Sequence, residues 1–93
     1  MVFTQVNTIM ADLSTLVGER IRQQRKRLGI NQEKLALIAD IDRSYMGRIE
    51  RGEVNVTLDK LYGLCVVLQC EAADLLPLGR NLIGGSRNKI KAT

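Results

Sequence analysis

Apolar residues recur at helical spacing along most of the chain, and no segment shows the strict alternation of apolar and polar residues that is typical of a β-strand. The first stripe extends from Leu13 to Leu28, and Gly29 follows it as a suitable stop. Asp12 or Ser14 is available as the N-cap. The pattern therefore predicts a first helix between these signals.

A second helix is predicted between two polar boundaries. Asn31 is its expected N-cap, and the helix extends to Ala39. Its spacing places three residues inward, namely Leu35, Ala36 and Ile38.

A short turn at residues 40–41 separates this helix from a third one. Asp42 is the expected N-cap of the third helix, Arg43–Arg51, and Gly52 is its expected C-terminal stop. Few apolar residues anchor this helix, chiefly Met46 and Ile49.

Two more helices follow a loop. Thr57 is the expected cap of the fourth helix, whose apolar stripe consists of Leu58, Leu61, Leu64, Cys65 and Leu68. A short fifth helix, Ala72–Leu76, ends at Pro77. The sequence thus predicts an all-α fold of five helices.

The two ends of the chain differ from the middle. Residues 1–13 form a leader that suits either a helix or an extended arm, with helix favoured for its second half. Residues 78–93 contain glycine, asparagine, serine and basic residues, which predicts a flexible basic tail. The predicted domain is 14–77.

Between residues 12 and 77, the positive charge is concentrated in the first part, and the tail, residues 78–93, adds four basic residues and no acidic one. Residues 12–51 contain nine basic and six acidic residues, whereas residues 52–77 contain one basic and four acidic residues. The net charge of the whole chain is +4. This distribution favours an anionic partner.

Composition argues against several classes of function. The chain has no histidine, which removes the commonest general base and the commonest zinc ligand. Cys65 and Cys70 lie in an apolar region, where buried reduced thiols are expected. No apolar stretch is long enough to cross a membrane, and the N-terminus does not look like a secretory signal. We therefore expect a cytoplasmic protein without enzymatic activity, metal, cofactor or small-molecule ligand.

The second and third helices have the outline of a helix-turn-helix, in which the second helix of the pair enters the major groove of DNA. Met46 and Ile49 would anchor the rear face of this recognition helix, Arg43–Arg51. Its opposite face would make the base contacts, through Arg43, Ser44, Gly47 and Arg48. Gly47 has no side chain, so that the backbone of the helix could approach the groove closely.

Residues 16–77 resemble the Cro/C1-type (XRE) helix-turn-helix domain, a lambda-repressor-like fold. The most specific segments are RIRQQRKRLGINQEKLA and DRSYMGRIERG. The second segment, with the following NVTLDKLY, is particularly similar to the controller proteins of restriction–modification systems. Asp40 stands where the family usually has glycine, and Asp tolerates a left-handed backbone better than most residues.

The resemblance also assigns roles to individual residues. It implies a largely buried ion pair between Arg25 and Glu50, and it places Gln32 and Tyr45 against the DNA backbone. With the neighbouring polar residues, the expected backbone contacts are Asn31, Gln32, Tyr45, Arg51 and Asn55. The expected dimer interface consists of Leu68, Ala72, Leu75 and Leu76.

These observations predict a homodimeric, sequence-specific transcriptional regulator that binds an approximately palindromic operator in double-stranded DNA. Two alternatives remain open at this point. The chain could be the antitoxin of a toxin–antitoxin pair, or a protein-interaction module that keeps the same fold without reading DNA.

Overall fold

The computed structural model describes residues 2–78, with side chains from Leu13 onward, and every regular element among them is an α-helix. The elements are α1 (Val2–Arg27), α2 (Gln32–Ile38), α3 (Arg43–Glu50), α4 (Leu58–Leu68) and α5 (Ala72–Leu75). The predicted all-α, five-helix fold is confirmed. The predicted tail lies outside the described residues except for Leu78.

Helix α1 begins earlier than the sequence pattern predicted. Asp12 and Ser14, the expected caps, both lie inside it. No glycine or proline occurs between residues 2 and 17, so the chain contains no residue there that would stop a helix. The Ser14 hydroxyl instead donates a hydrogen bond to the side-chain oxygen of Asn55. The expected boundary between leader and domain therefore falls within a continuous helix, and the division itself stays a prediction.

Local capping chemistry defines the helix-turn-helix as expected. Asn31 Oδ1 accepts a hydrogen bond from the backbone N–H of Lys34 at 2.7 Å, and Asp42 Oδ2 accepts one from Tyr45 N–H at 3.1 Å. Between the two helices, Asp40 adopts a φ of 56°, the left-handed conformation for which the family usually has glycine. These contacts satisfy N–H groups that have no partner within the first turn of a helix.

A single aliphatic core holds the helices together. The buried apolar residues are Val17, Ile21, Leu35, Ala36, Ile41, Met46, Ile49, Leu61, Leu64, Cys65, Leu68 and Leu75. Met46 and Ile49 therefore anchor α3 as predicted. In the described part of the chain, no helix is long and apolar enough to span a membrane.

Two residues that were expected to face inward are exposed. Ile38 is 51% exposed and Leu58 is 70% exposed. Ile38 is the last residue of α2 and Leu58 is the first residue of α4, so each lies at an end of its helix, where the core no longer covers it.

Helices α4 and α5 contribute to the core rather than presenting all of their apolar residues to a partner. Leu68 and Leu75, two of the four expected dimer residues, are both 0% exposed. Their side chains belong to the hydrophobic core of the single chain, and the dimer interface itself stays a prediction. Ala72 is half-buried and Leu76 is 39% exposed, so these two remain accessible.

The position of α3 depends on a very close approach to α1. A Cβ atom on Gly18 would lie 2.3 Å from the backbone oxygen of Ile49 and 2.8 Å from that of Glu50. Only a residue without a side chain allows the C-terminal turn of α3 to pack against α1 at this distance. This contact helps to set the orientation of the recognition helix.

Candidate nucleic-acid interface

Helices α2 and α3 together form a shallow polar concavity on the surface of the protein. Its lining residues are Gln32, Asp42, Arg43, Ser44, Gly47 and Arg51. Five of these six were predicted to contact DNA, three through bases and two through the backbone. The structure thus brings residues that are up to 19 positions apart in the sequence onto one surface.

The first turn of α3 presents its polar residues outward because its cap and its buried residues determine the rotation of the helix. Asp42 holds the N-terminus, and Met46 and Ile49 lie in the core on the opposite side. Arg43 and Ser44 are consequently exposed at the start of the recognition helix. This is the part of a recognition helix that approaches base edges in helix-turn-helix proteins.

Arg43 is paired with an acidic residue of α2 that the sequence analysis did not identify. Its Nη1 atom lies 3.0 Å from Glu33 Oε2, and the two side chains are 74% and 66% exposed. Because such an exposed pair contributes little to stability, Arg43 can release this partner at small cost. The Glu33 contact had no clear sequence signal, since it depends on how α2 and α3 pack.

Gly47 is buried, which differs from the open position predicted for it. The side chains of Arg51 and Gln32 cover it: a Cβ atom there would lie 3.0 Å from Arg51 Nη1 and 3.3 Å from Gln32 Oε1. The glycine therefore gives room to these two polar side chains rather than leaving bare backbone for the groove.

Arg48 and Arg51 share one acidic neighbour, Glu53. Arg51 Nε donates to Glu53 Oε2 at 2.7 Å and Arg51 Nη2 donates to Oε1 at 3.4 Å, while Arg48 Nε lies 3.8 Å from Oε1. Hydrogen bonding to Arg51 lowers the pKa of Glu53, and the same contact raises the pKa of Arg51. Arg48 is exposed but does not line the concavity, so the four expected base-contacting residues do not share one surface.

A buried hydrogen-bond network supports the concavity from behind. Arg25 and Glu50, the two residues expected to pair, make a bidentate contact of 2.8 Å (Nε to Oε2) and 3.0 Å (Nη2 to Oε1). Arg25 Nη1 also donates to the carbonyl oxygen of Ile30 at 3.1 Å. Gln32 Nε2 donates to Glu50 Oε1 at 3.0 Å, a link that the sequence analysis did not identify. Helices α1, α2 and α3 are thereby tied together beneath the surface that carries Arg43.

The other expected backbone contacts do not line this concavity. The side-chain oxygen of Asn31 caps α2, and that of Asn55 accepts the hydrogen bond from Ser14. Tyr45 is half-buried, and Lys60 Nζ lies 5.8 Å from the centre of its ring. Lys60 therefore adds a cation beside Tyr45 that the sequence analysis did not assign to the interface.

Comparison with known proteins supports this description. The family model HTH_3, "Helix-turn-helix", matches residues 21–75. Control protein C.BamHI of Bacillus amyloliquefaciens is 38% identical over 66 residues, which cover 70% of this chain and 82% of that protein. Control protein C.SmaI of Serratia marcescens is 37% identical over 65 residues, which cover 70% of this chain and 77% of that protein.

A solved structure is also similar to this chain. The restriction-modification controller protein C.AhdI from Aeromonas hydrophila is 39% identical to this chain and has a TM-score of 0.64, covering 67% of this chain and 94% of that one. The family match extends from the second half of α1 through the helix-turn-helix to α5. The chain therefore belongs to the helix-turn-helix family of Cro/C1-type (XRE) regulators.

Proposed function

We propose that this chain is a sequence-specific DNA-binding transcriptional regulator, without enzymatic activity, that acts as a homodimer on an approximately palindromic operator. One observation carries the proposal: α3 presents Arg43 and Ser44 at its first turn, beside Gln32 and Arg51, on the side opposite its buried anchors. The relatives named above are control or controller proteins, which supports regulation as the purpose of DNA binding.

The residues of the interface divide into two roles. Arg43 can offer two parallel N–H groups to O6 and N7 of a guanine, a contact that discriminates against other bases by about 1–3 kcal/mol. Ser44 supplements this readout from the same concavity, and Arg48 supplements it from an exposed position outside the concavity. Gln32 and Arg51 contact phosphates and thereby set the register of the helix in the groove. Affinity should accordingly fall steeply as salt concentration rises.

Selection of bound sequences from random duplex DNA tests the assignment. We expect a palindromic consensus with guanine at a defined position in each half-site, and we expect Arg43→Ala to lose the preference at that position alone. Arg22→Ala is the matched control, because it removes the same charge from an exposed position on α1. An unchanged consensus for Arg43→Ala would show that this residue does not contribute to base recognition.

Binding without any consensus would instead favour the antitoxin or interaction-module alternative.

A regulator that resembles restriction–modification controllers is expected to bind upstream of its own gene, which a footprint on that DNA would detect.

The homodimer is proposed to form through accessible apolar residues of α4 and of the segment after α5. Leu58, Tyr62 and Val66 follow one another at intervals of four along α4 and are 70%, 58% and 79% exposed. Leu76 lines the same apolar groove as Leu58. A stripe of this kind is unusual on a face that stays in water, so a second copy of the chain is its proposed partner.

Sedimentation velocity tests the dimer. We expect Tyr62→Glu to shift the protein to monomers at concentrations at which the unmodified protein is dimeric. Leu37→Glu is the control, since Leu37 is 80% exposed on α2 and lies outside the proposed surface. Equal dimerisation of both variants would exclude the α4 surface as the interface.

A further inference from the structure

Glu53 has an anchored backbone and an exposed carboxylate next to the recognition helix. Gly52, with a φ of 75°, ends α3, and the backbone N–H of Glu53 donates to the carbonyl oxygen of Arg48 at 2.9 Å. Gly52 is itself packed against α1, because a Cβ atom there would lie 2.7 Å from Thr15 Cα. The backbone of Glu53 is therefore held in place by α3, through Arg48, and by the packing of Gly52 against α1.

The carboxylate of Glu53 uses one edge of the Arg51 guanidinium and leaves the other edge accessible. It accepts hydrogen bonds from Nε at 2.7 Å and from Nη2 at 3.4 Å. The third nitrogen, Nη1, is the atom that covers Gly47, within the concavity that also contains Arg43 and Ser44. The planar guanidinium is thus held with its free N–H groups on the candidate DNA surface.

An acidic side chain in this place is costly for binding DNA in general. Its charge repels phosphates and partly cancels the two arginines that attract them. Arg51, if left unpaired, would be a long flexible side chain that must lose its freedom when it contacts a phosphate. Pairing with Glu53 restricts Arg51 before binding, and this helps only a complex in which a phosphate occupies the matching position.

We propose that Glu53 is a positioning residue for DNA recognition, which orients Arg51 across Gly47 toward one phosphate and at the same time weakens non-specific attraction to DNA. The proposal rests on the DNA-binding function proposed above and adds a determinant of specificity to it. In a correctly registered complex, the repulsion is offset by the oriented Arg51 contact. In a misregistered complex, only the repulsion remains.

The test compares affinity for the selected operator with affinity for a scrambled duplex of the same length. For Glu53→Ala we expect tighter binding to the scrambled duplex and a specificity ratio reduced roughly fivefold, the factor expected from loss of one favourable exposed ion pair. Glu19→Ala is the matched control, because it removes an equal charge from an exposed position on α1 and should leave the ratio unchanged. The midpoint of thermal unfolding should fall only slightly for Glu53→Ala, since an exposed ion pair contributes little to stability and the backbone hydrogen bond of residue 53 is retained.

A double-mutant cycle separates positioning from a simple charge effect. If Glu53 acts through Arg51, Glu53→Ala should not reduce the ratio further in a chain that already carries Arg51→Gln. An unchanged or higher specificity ratio in Glu53→Ala, or additive effects in the cycle, would overturn this proposal and leave the proposed DNA-binding function intact. If the unmodified protein shows no preference for any sequence, the proposed function fails and this inference fails with it.

Discussion

The two glycines inside α1 and α4 predict opposite effects for the same substitution. Gly18 lies in α1 where the backbone of α3 crosses it, and Gly63 lies in α4 with no atom within 4 Å of a Cβ built on it. We expect Gly18→Ala to destabilise the protein and Gly63→Ala to stabilise it. The comparison holds residue type, helical location and added volume constant, so that only packing differs.

The size of each effect follows from two contributions. Replacing a helical glycine by alanine stabilises a helix by about 0.8–1 kcal/mol, and Gly63→Ala should retain that gain. At Gly18 the new methyl group would lie 2.3 Å from Ile49 O, so α1 and α3 must separate by roughly an ångström. Overpacking of this kind costs about 3 kcal/mol at the upper end of its usual range, which leaves a net loss of about 2 kcal/mol.

Urea denaturation followed by circular dichroism measures the free energy of unfolding of both variants, at one fixed protein concentration because self-association would shift the apparent stability. In a separate thermal scan, the midpoint should fall by about 12 °C for Gly18→Ala and rise by about 5 °C for Gly63→Ala in a domain of this size. Equal stability of the two variants would refute the close approach of α1 and α3. So would a stabilised Gly18→Ala variant.

Two further predictions concern a buried ion pair and a half-buried thiol. Glu50→Gln leaves Arg25 buried without its counter-charge and should lower the free energy of unfolding by about 3 kcal/mol, as measured by urea denaturation. Glu33→Gln, which breaks an exposed pair, should change the free energy of unfolding by less than about 1 kcal/mol. Equal losses of stability in the two variants would contradict the assignment of one pair as buried and the other as exposed. Burial, and then the neighbouring Cys65, raise the pKa of the Cys70 thiol to about 11. Iodoacetamide should therefore modify native Cys70 slowly at pH 8 and faster as the pH approaches 11, whereas rapid modification at pH 8 would show an exposed, ionisable thiol.

Much of the helix-turn-helix could be predicted from short stretches of sequence. Asn31, Asp42 and Thr57 each cap the helix that follows, because a side-chain oxygen needs only a backbone N–H three residues later. The left-handed turn at Asp40 and the stop at Gly52 likewise depend on the conformational preference of one residue. Interactions of this range are complete within a few residues, so the sequence alone specifies them.

Local signals were less reliable where a more distant segment decided the outcome. Asp12 and Ser14 are good caps, yet the helix continues through both. Leu68 ends α4 and Leu76 directly follows α5; both are leucines, but Leu68 is fully buried and Leu76 is 39% exposed. The difference arises because α1 covers only part of α4 and α5, and nothing in either local sequence records where α1 lies.

The sequence by itself determined the helical class, the positions of the turns and the arginine at the start of α3. The tertiary structure alone decided which of these groups act together. It placed Arg43 on Glu33, Gln32 on Glu50 and α3 against Gly18. The physical reason is range: capping and backbone preference act over one helical turn, whereas burial, ion pairing and close helix contact depend on segments far apart in the chain.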